Sequence, residues 1–121
     1  MGNPFVHVEL QTKDVAKAKE FYSQLFDWRL EDLPMDYTMI HVGEGGIGGG
    51  MMACPEPDIP PNWMPYVAVD DIQAATEKAR GLGATVLHGP QEVPGMVWFS
   101  VIQDPAGAVF AICQIKEGAS C

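Results

Sequence analysis

The chain has 121 residues and a formal net charge of −9, from 16 acidic and 7 basic side chains. A chain of this length can bury one hydrophobic core, so we expect a single domain over residues 1–121. Hydrophobic residues make up 47% and charged residues 19% of the chain, which is typical of a globular protein and excludes a disordered one. The acidic balance disfavours nucleic acid and anionic membranes as partners.

The segments that would direct the chain out of the cytoplasm are missing from the sequence. No apolar run approaches the about 20 residues that cross a bilayer, and the first residues lack the basic start and apolar stretch of a signal peptide. The cysteines Cys54, Cys113 and Cys121 are odd in number and form no C-x-x-C pair, which favours a reducing compartment over a disulfide framework or a zinc site. We therefore expect a cytoplasmic protein.

The first half predicts a strand, a helix and three further strands. Residues 5–10 alternate as in a strand, and Asp14 is the predicted N-cap of a helix that runs through Phe26. Short strands are predicted over 28–33, 37–42 and 47–52. This βαβββ module covers about residues 4–53. The helix places five apolar residues on one side, namely Val15, Ala18, Phe21, Tyr22 and Leu25.

The second half repeats this order after a proline-rich segment. Four prolines within residues 54–62 exclude helix and sheet there and predict a stiff linker. A strand over 64–69 is then followed by a helix over 72–80, capped by Asp71 and ended by Gly81 and Gly83. The buried side of this helix is predicted as Ile72, Ala75, Ala79 and Leu82. Strands over 85–88, 96–102 and 109–114 complete a second module of about residues 63–116.

The alternation of the first strand separates a core face from a candidate site face. Val6, Val8 and Leu10 point one way, onto the helix, so Phe5, His7 and Glu9 point the other way. Residues two apart on a strand lie about 7 Å apart, which lets His7 and Glu9 interact through a ligand or a water molecule. They are the best candidate functional pair. The alternative is that His7 is a hydrogen-bonded core histidine.

The order and spacing of these motifs resemble the vicinal-oxygen-chelate superfamily, which contains glyoxalase, bleomycin-resistance and extradiol-dioxygenase proteins. In the first half the matching residues are residues 6–10, Asp14, Phe21-Tyr22, Leu25-Phe26 and Trp28. In the second half they are residues 69–71, 82–84, 89–90 and 104–107. The resemblance covers nearly the whole chain and implies an α+β fold. Two βαβββ modules would form a cupped eight-stranded mixed sheet with the helices on its outer face, commonly in a homodimer.

The resemblance also implies where metal ligands would stand in metal-dependent members, on the first and last strand of each module. His7 matches the first position, but Met64 stands before Asp71 where His7 stands before Asp14. The segment 47–52 contains no acidic residue, and Ala111 occupies the last position. One histidine cannot hold a divalent ion, so we expect no metal and no other cofactor. The alternative is a site completed across a dimer by Glu9 or His41 of a second copy.

Several other residues are candidates for lesser roles. His41 shares a strand face with Tyr37 and is interpreted as structural, and His88, which ends a predicted strand before Gly89-Pro90, is expected to lie at the surface. The glycines of 43–50 lack the Lys-Ser or Lys-Thr of a phosphate loop and instead predict a bulge or a close backbone approach, by a ligand or a partner subunit. An adaptable apolar pocket would be lined by Phe5, Met51, Trp63, Met64, Tyr66, Trp98 and Ala111.

Three kinds of function remain open from the sequence, one of them an interaction module that uses the sheet edge for assembly and has no ligand-sized cavity. The first is a pocket protein of the bleomycin-resistance type that binds a small organic molecule without a metal. The second is an enzyme related to lactoylglutathione lyases, isomerases or dioxygenases, with a dimer-completed site in which His7 and Glu9 serve as base and ligand. No Ser or Cys nucleophile motif is present. Neither the ligand nor the reaction can be read from the residues.

Overall fold

The computed structural model describes residues 2–116, so Cys121 lies outside the described residues. The described chain divides into two compact units, which we call the N-unit, residues 7–64, and the C-unit, residues 2–6 and 65–116. Elements follow one another in the predicted order. They are β1 (Phe5–Thr12), α1 (Val15–Leu25), β2 (Arg29–Leu33), β3 (Tyr37–His41), β4 (Gly49–Ala53), β5 (Asn62–Ala68), α2 (Ile72–Gly81), β6 (Thr85–Val93), β7 (Val97–Gln103) and β8 (Val109–Ile115).

The strands repeat one arrangement in each half of the chain. In the first half the strand order is β2-β3-β4-β1, with β1 parallel to β4, and in the second it is β6-β7-β8-β5, with β5 parallel to β8. The remaining neighbours are antiparallel. The described strands thus form one mixed eight-stranded sheet of order β2-β3-β4-β1-β5-β8-β7-β6. The predicted α+β class and the two βαβββ modules are confirmed.

Both helices begin where an aspartate can satisfy backbone N–H groups that have no partner within the helix. Asp14 accepts a hydrogen bond from the backbone N–H of Lys17, and Asp71 accepts one from that of Ala74. Gly83 follows the C-cap of α2 with a φ of +98°, which a residue with a Cβ adopts only with strain. The predicted caps and the predicted end of α2 are confirmed.

The N-unit core lies between α1 and one face of its strands. Leu10, Ile40 and Met51 form a buried cluster against which Val15 and Ala18 of α1 pack, together with Tyr22, Trp28, Leu30 and Val42. The predicted buried face of α1 was wrong for two of its five residues. Phe21 and Leu25 are 58% and 56% exposed, because the strands cover a narrower stripe of the helix than the apolar residues occupy.

The C-unit has its own core, built on α2, β7 and β8. Ile72, Ile102 and Ile112 are buried together, with Ala75 and Ala79 of α2 packed against them. Leu82, predicted for the same face, is 70% exposed because it lies beyond the last turn, at the C-cap. Cys113 is fully buried, as predicted for a small core residue.

Several predicted boundaries differ from the structure, among them the end of the linker and the end of β6. Residues 54–61 contain no helix or strand, but β5 begins at Asn62, inside the predicted linker. The strand predicted over 85–88 continues past the cis Gly89-Pro90 bond to Val93, with two register shifts. His88 lies within this strand, is exposed as expected, and is hydrogen bonded to Gln91. No described helix is long and apolar enough to cross a membrane.

Candidate functional site

Three polar side chains alternate along one face of β1 and are buried. His7, Glu9 and Gln11 are 6%, 5% and 8% exposed, while Leu10 on the opposite face packs in the core under α1. Polar and charged side chains are rarely buried unless their groups are hydrogen bonded. Neighbouring groups must therefore supply hydrogen-bond partners for these three side chains.

Tyr37 of β3 joins His7 to Glu9. Its hydroxyl oxygen lies 2.8 Å from His7 Nε2 and donates a hydrogen bond of 3.0 Å to Glu9 Oε1. The rings of His7 and Tyr37 are close to parallel, at 21°, with centroids 6.3 Å apart. The sequence placed His7 and Glu9 on one face, and the structure adds that a phenol bridges them.

Gly50 explains how Tyr37 reaches β1 although β4 lies between β3 and β1. Gly50 is paired in register with Glu9 on one side and with Met39 on the other. A Cβ at Gly50 would lie 1.8 Å from the Tyr37 hydroxyl oxygen. The tyrosine ring therefore occupies the space that a side chain of β4 would fill. A Cβ at Gly49 beside it would lie 2.2 Å from the carbonyl oxygen of Val8, so the backbones of β1 and β4 approach each other closely there.

The chain of hydrogen bonds continues beyond Glu9. Gln11 Nε2 donates to Glu9 Oε2 at 3.0 Å, and Asn62 Nδ2 donates to Gln11 Oε1 at 3.2 Å. Both carboxylate oxygens of Glu9 thus accept a hydrogen bond from a neighbouring side chain. We call the linked residues His7, Tyr37, Glu9, Gln11 and Asn62 the polar chain.

The direction of the hydrogen bonds fixes where the proton of His7 lies. A tyrosine hydroxyl carries one proton, and in Tyr37 that proton is given to Glu9. The contact between His7 and Tyr37 therefore requires His7 Nε2 to be the donor. In a neutral His7 ring the lone pair then lies on Nδ1. Glu9 serves as the acceptor at the centre of the polar chain.

The donors of this face do not fit the family's divalent metal site. A catalytic ion of that kind takes at least three protein ligands, and residues 2–116 contain no group of three or more His, Cys, Asp or Glu side chains placed to hold one. His7 Nε2 and the two oxygens of Glu9 already take part in the polar chain. Met64 and Ala111, at two family ligand positions, are buried and offer no hard donor.

The predicted pocket residues of the N-unit do not lie together. Met51 is fully buried in the core cluster with Leu10, and Met64, the last residue of the N-unit in the chain, is also buried. Trp63 is 40% exposed and lines, with Trp28, an apolar hollow of about 390 Å³. The sequence analysis named Trp63 for a pocket, whereas Trp28 entered it only as a residue of the family resemblance.

The predicted pocket residues of the C-unit are also dispersed. Tyr66 and Ala111 are buried neighbours across β5 and β8. Phe5, at the start of β1, is 61% exposed. Trp98 packs against the C-unit core, and the Lys116 ammonium lies 5.3 Å from the centre of its ring.

His41 lies at the end of β3 and contacts Glu31 of β2, with 2.8 Å between its Nε2 and Glu31 Oε1. Both side chains are well exposed, as is usual for a surface pair. Tyr37, Gln11 and Asn62 were not recognised as site residues. The parity of β3 was visible in the sequence, but the pairing that brings Tyr37 over Gly50 was not.

Comparison with known proteins identifies the family. Residues 5–112 match the sequence profile of the Glyoxalase/Bleomycin resistance protein/Dioxygenase superfamily. The chain belongs to this superfamily, as the motifs of both halves predicted.

Among curated relatives, the putative glyoxylase CFP32 of Mycobacterium tuberculosis is 36% identical over 77 residues, which cover 64% of this chain and 29% of the relative. The anthracycline biosynthesis protein DnrV of Streptomyces peucetius is 30% identical over an alignment covering 92% of this chain and 47% of the relative. The chain therefore spans less than half the length of these two relatives.

Solved structures share the fold at low sequence identity. The hypothetical protein BH1468 from Bacillus halodurans superposes with a TM-score of 0.71 at 14% identity, over 100% of both chains. Methylmalonyl-CoA epimerase from Mycobacterium tuberculosis gives 0.67 at 14% identity, over 93% of this chain and 87% of the epimerase. At such identities the similarity concerns the fold alone.

Proposed function

We propose that this protein binds a small organic molecule at the face of β1 that carries His7 and Glu9, and that it does so without a bound divalent ion. The observation that carries the proposal is the polar chain. Five polar side chains are linked on a sheet face where apolar residues would fold at least as well, since a buried polar network is costly to satisfy. Such a network supports recognition of a ligand on this face.

The polar chain supports a role in orienting a ligand. Glu9 accepts hydrogen bonds at both oxygens, which holds its carboxylate in one place. Tyr37 holds the His7 ring through Nε2, so the ring presents a fixed edge. Fixed polar groups among apolar neighbours are the usual composition of a small-molecule site.

A second candidate is a metal-dependent lyase, isomerase or dioxygenase whose site is completed by a second copy of the chain. It is favoured by the relatives, since one is named a putative glyoxylase and a structural neighbour is methylmalonyl-CoA epimerase. Family members commonly form dimers, and we propose a homodimer for this chain under either candidate. Sedimentation at several protein concentrations tests the dimer.

Metal content separates the two candidates. Protein purified without a chelator is analysed for nickel, zinc, manganese and iron, and we expect far less than one ion per chain. A content close to one ion per chain, lost on Glu9→Gln substitution, would overturn the metal-free proposal and support the second candidate. The exposed His88→Gln variant is the matched control, because His88 lies in β6 and outside the polar chain.

Ligand binding is tested by thermal shift with an anthracycline and with methylmalonyl-CoA, chosen from the names of the relatives. A ligand at about one hundred times its dissociation constant stabilises the folded state by about 2.7 kcal/mol. We expect one of them to raise the melting temperature of the wild type and of His88→Gln but not of His7→Gln. Equal shifts in all three proteins, or none in any, would contradict binding of these classes at His7.

A further inference from the structure

Five aromatic rings of the N-unit contact one another beside the C-terminal end of α1. Tyr22 meets Phe21 edge to face, with ring centroids 4.9 Å apart, and stacks on Trp28 at 5.7 Å. The Phe26 centroid lies 4.7 Å from that of Trp28, and the Trp63 centroid lies 5.5 Å from that of Tyr22. With a leucine of the same helix these residues form what we call the aromatic cluster: Phe21, Tyr22, Leu25, Phe26, Trp28 and Trp63.

The aromatic cluster packs on the N-unit core with its inner side and is open on its outer side. Two of its members contact the buried residues under α1. Phe21 and Leu25 are more than half exposed. Phe26 and Trp63 are 44% and 40% exposed. Single exposed apolar residues are common on any protein, but a contiguous group of them is typical of an interaction site.

The exposed area of the aromatic cluster is close to what a dimer with a two-fold axis needs. A whole aromatic side chain covers about 150–250 Å², so the exposed parts of these four side chains amount to about 400 Å². A two-fold interface uses the same surface on both copies and would bury about twice this area, about 800 Å² of apolar surface. A standard interface buries about 1,600 Å² in total, of which somewhat more than half is non-polar. The cluster therefore supplies most of the apolar area of a standard interface.

The composition of the aromatic cluster fits a protein partner better than a membrane. Tyr, Trp and Phe are enriched in the cores of protein interfaces, and charged residues are depleted there. Five of the six members are aromatic and none is charged. The net charge of −9 on the chain opposes binding to an anionic membrane.

We propose that the aromatic cluster is the surface through which two copies of this chain associate. The inference deepens the homodimer proposed above by naming its surface, and it rests on that homodimer but not on ligand binding at His7. Leu10, on the opposite face of β1 from His7, packs against members of the cluster. A dimer through the cluster therefore leaves the polar chain uncovered and does not bring the partner's Glu9 to His7. This surface disfavours a dimer-completed metal site.

Analytical ultracentrifugation of the full chain at several protein concentrations tests the surface. The double variant Phe21→Gln, Leu25→Gln removes apolar surface with a residue that favours helix. We expect it to raise the dissociation constant of the dimer at least about tenfold. Leu82→Gln is the matched control, because Leu82 is 70% exposed at the end of the other helix, and it should leave the constant unchanged.

The outcomes separate the surface from the dimer itself. A wild-type dimer that the double variant leaves intact would overturn the surface and keep the homodimer, whereas a monomeric wild type would overturn both. Equal weakening by Leu82→Gln would also overturn the surface. So would wild-type binding to phosphatidylcholine vesicles that the double variant loses, because a membrane would then be the partner.

Two measurements on the wild type decide the question should the double variant fail to fold. Each copy carries a net charge of −9, and Asp27 is exposed next to the cluster in the chain, so repulsion opposes association. Salt screens this repulsion, and we expect a lower dissociation constant in high salt than in low salt. On dilution, the indole N–H signal of Trp63 should shift in NMR spectra and that of Trp98, in the C-unit, should not. Association that weakens in high salt, or equal shifts of both indoles, would overturn the proposal.

Discussion

Tyr37 holds the polar chain together, because its hydroxyl contacts both His7 and Glu9. Tyr37→Phe removes one oxygen and keeps the ring. Two buried polar groups then lose a hydrogen bond, so we expect the free energy of unfolding to fall by about 1–3 kcal/mol. Urea unfolding measures this loss. Tyr22→Phe, in the aromatic cluster beside α1, is the control for removing a phenol oxygen.

The same residue sets the proton position on His7. We expect long-range ¹H–¹⁵N spectra of the wild type to show a proton on His7 Nε2, as the direction of the Tyr37 hydrogen bond requires. In Tyr37→Phe this preference should weaken, while the signals of exposed His88 stay unchanged. A wild-type His7 protonated on Nδ1 alone would contradict the assigned network.

Asp32 provides a pH-dependent contact at the surface. Lys19 Nζ donates to Asp32 Oδ1 at 2.7 Å and Thr38 Oγ1 donates at 2.9 Å, and both hydrogen bonds lower the pKa of Asp32 below its usual value. Because the pKa of Asp32 is lower in the folded than in the unfolded state, its ionised carboxylate stabilises the fold. This stabilisation is fully present above the unfolded pKa of about 3.9 and is lost as the pH falls through the folded pKa.

The change that tests this contact is Asp32→Asn. We expect the variant to lose stability relative to the wild type at pH 7 and to approach it in acid, because the wild-type carboxylate is protonated there. Unfolding midpoints between neutral and strongly acidic pH measure the difference. Asp58→Asn, in the proline-rich segment, is the control. A constant difference between Asp32→Asn and the wild type at every pH would rule out the carboxylate contact as its cause.

At the scale of elements, the sequence of β4 is constrained by the Tyr37 ring, which occupies the space over Gly50. Gly50→Ala would place a methyl group 1.8 Å from the Tyr37 hydroxyl oxygen and push the ring away from His7 and Glu9. We expect a loss of about 1–3 kcal/mol in unfolding free energy. The loss should be smaller in the Tyr37→Phe background, because the hydrogen bonds are already absent there and the two changes are coupled.

Gly81→Ala is the matched control for that substitution. Gly81 is the last residue of α2, and a Cβ there would contact nothing within 4 Å. Replacing a helical glycine by alanine stabilises by about 0.5–1 kcal/mol. Similar effects of the two glycine substitutions would show that Gly50 is not needed to admit Tyr37.

Across the whole molecule, the sequence predicted what depends on local chemistry. Helix starts were readable from Asp14 and Asp71 because capping needs only residues three apart, and strand faces were readable from alternation. Only His7 and Glu9 of the polar chain could be predicted from the sequence. His7 and Glu9 lie on one strand, but Tyr37 reaches them through a register set by two other strand pairs.

The two cores provide a prediction for the molecule as a whole. Ile40 is buried in the N-unit cluster and Ile102 in the C-unit cluster, and neither cluster contains residues of the other unit. Truncating either to alanine leaves a cavity that costs about 2–5 kcal/mol. Because local opening follows local packing, Ile40→Ala should accelerate amide hydrogen exchange mainly within residues 7–64, and Ile102→Ala mainly within 65–116. Val109→Ala, at an exposed position of β8, should accelerate neither. If both core variants accelerated exchange equally in both ranges, the units would unfold as one cooperative body in spite of their separate cores.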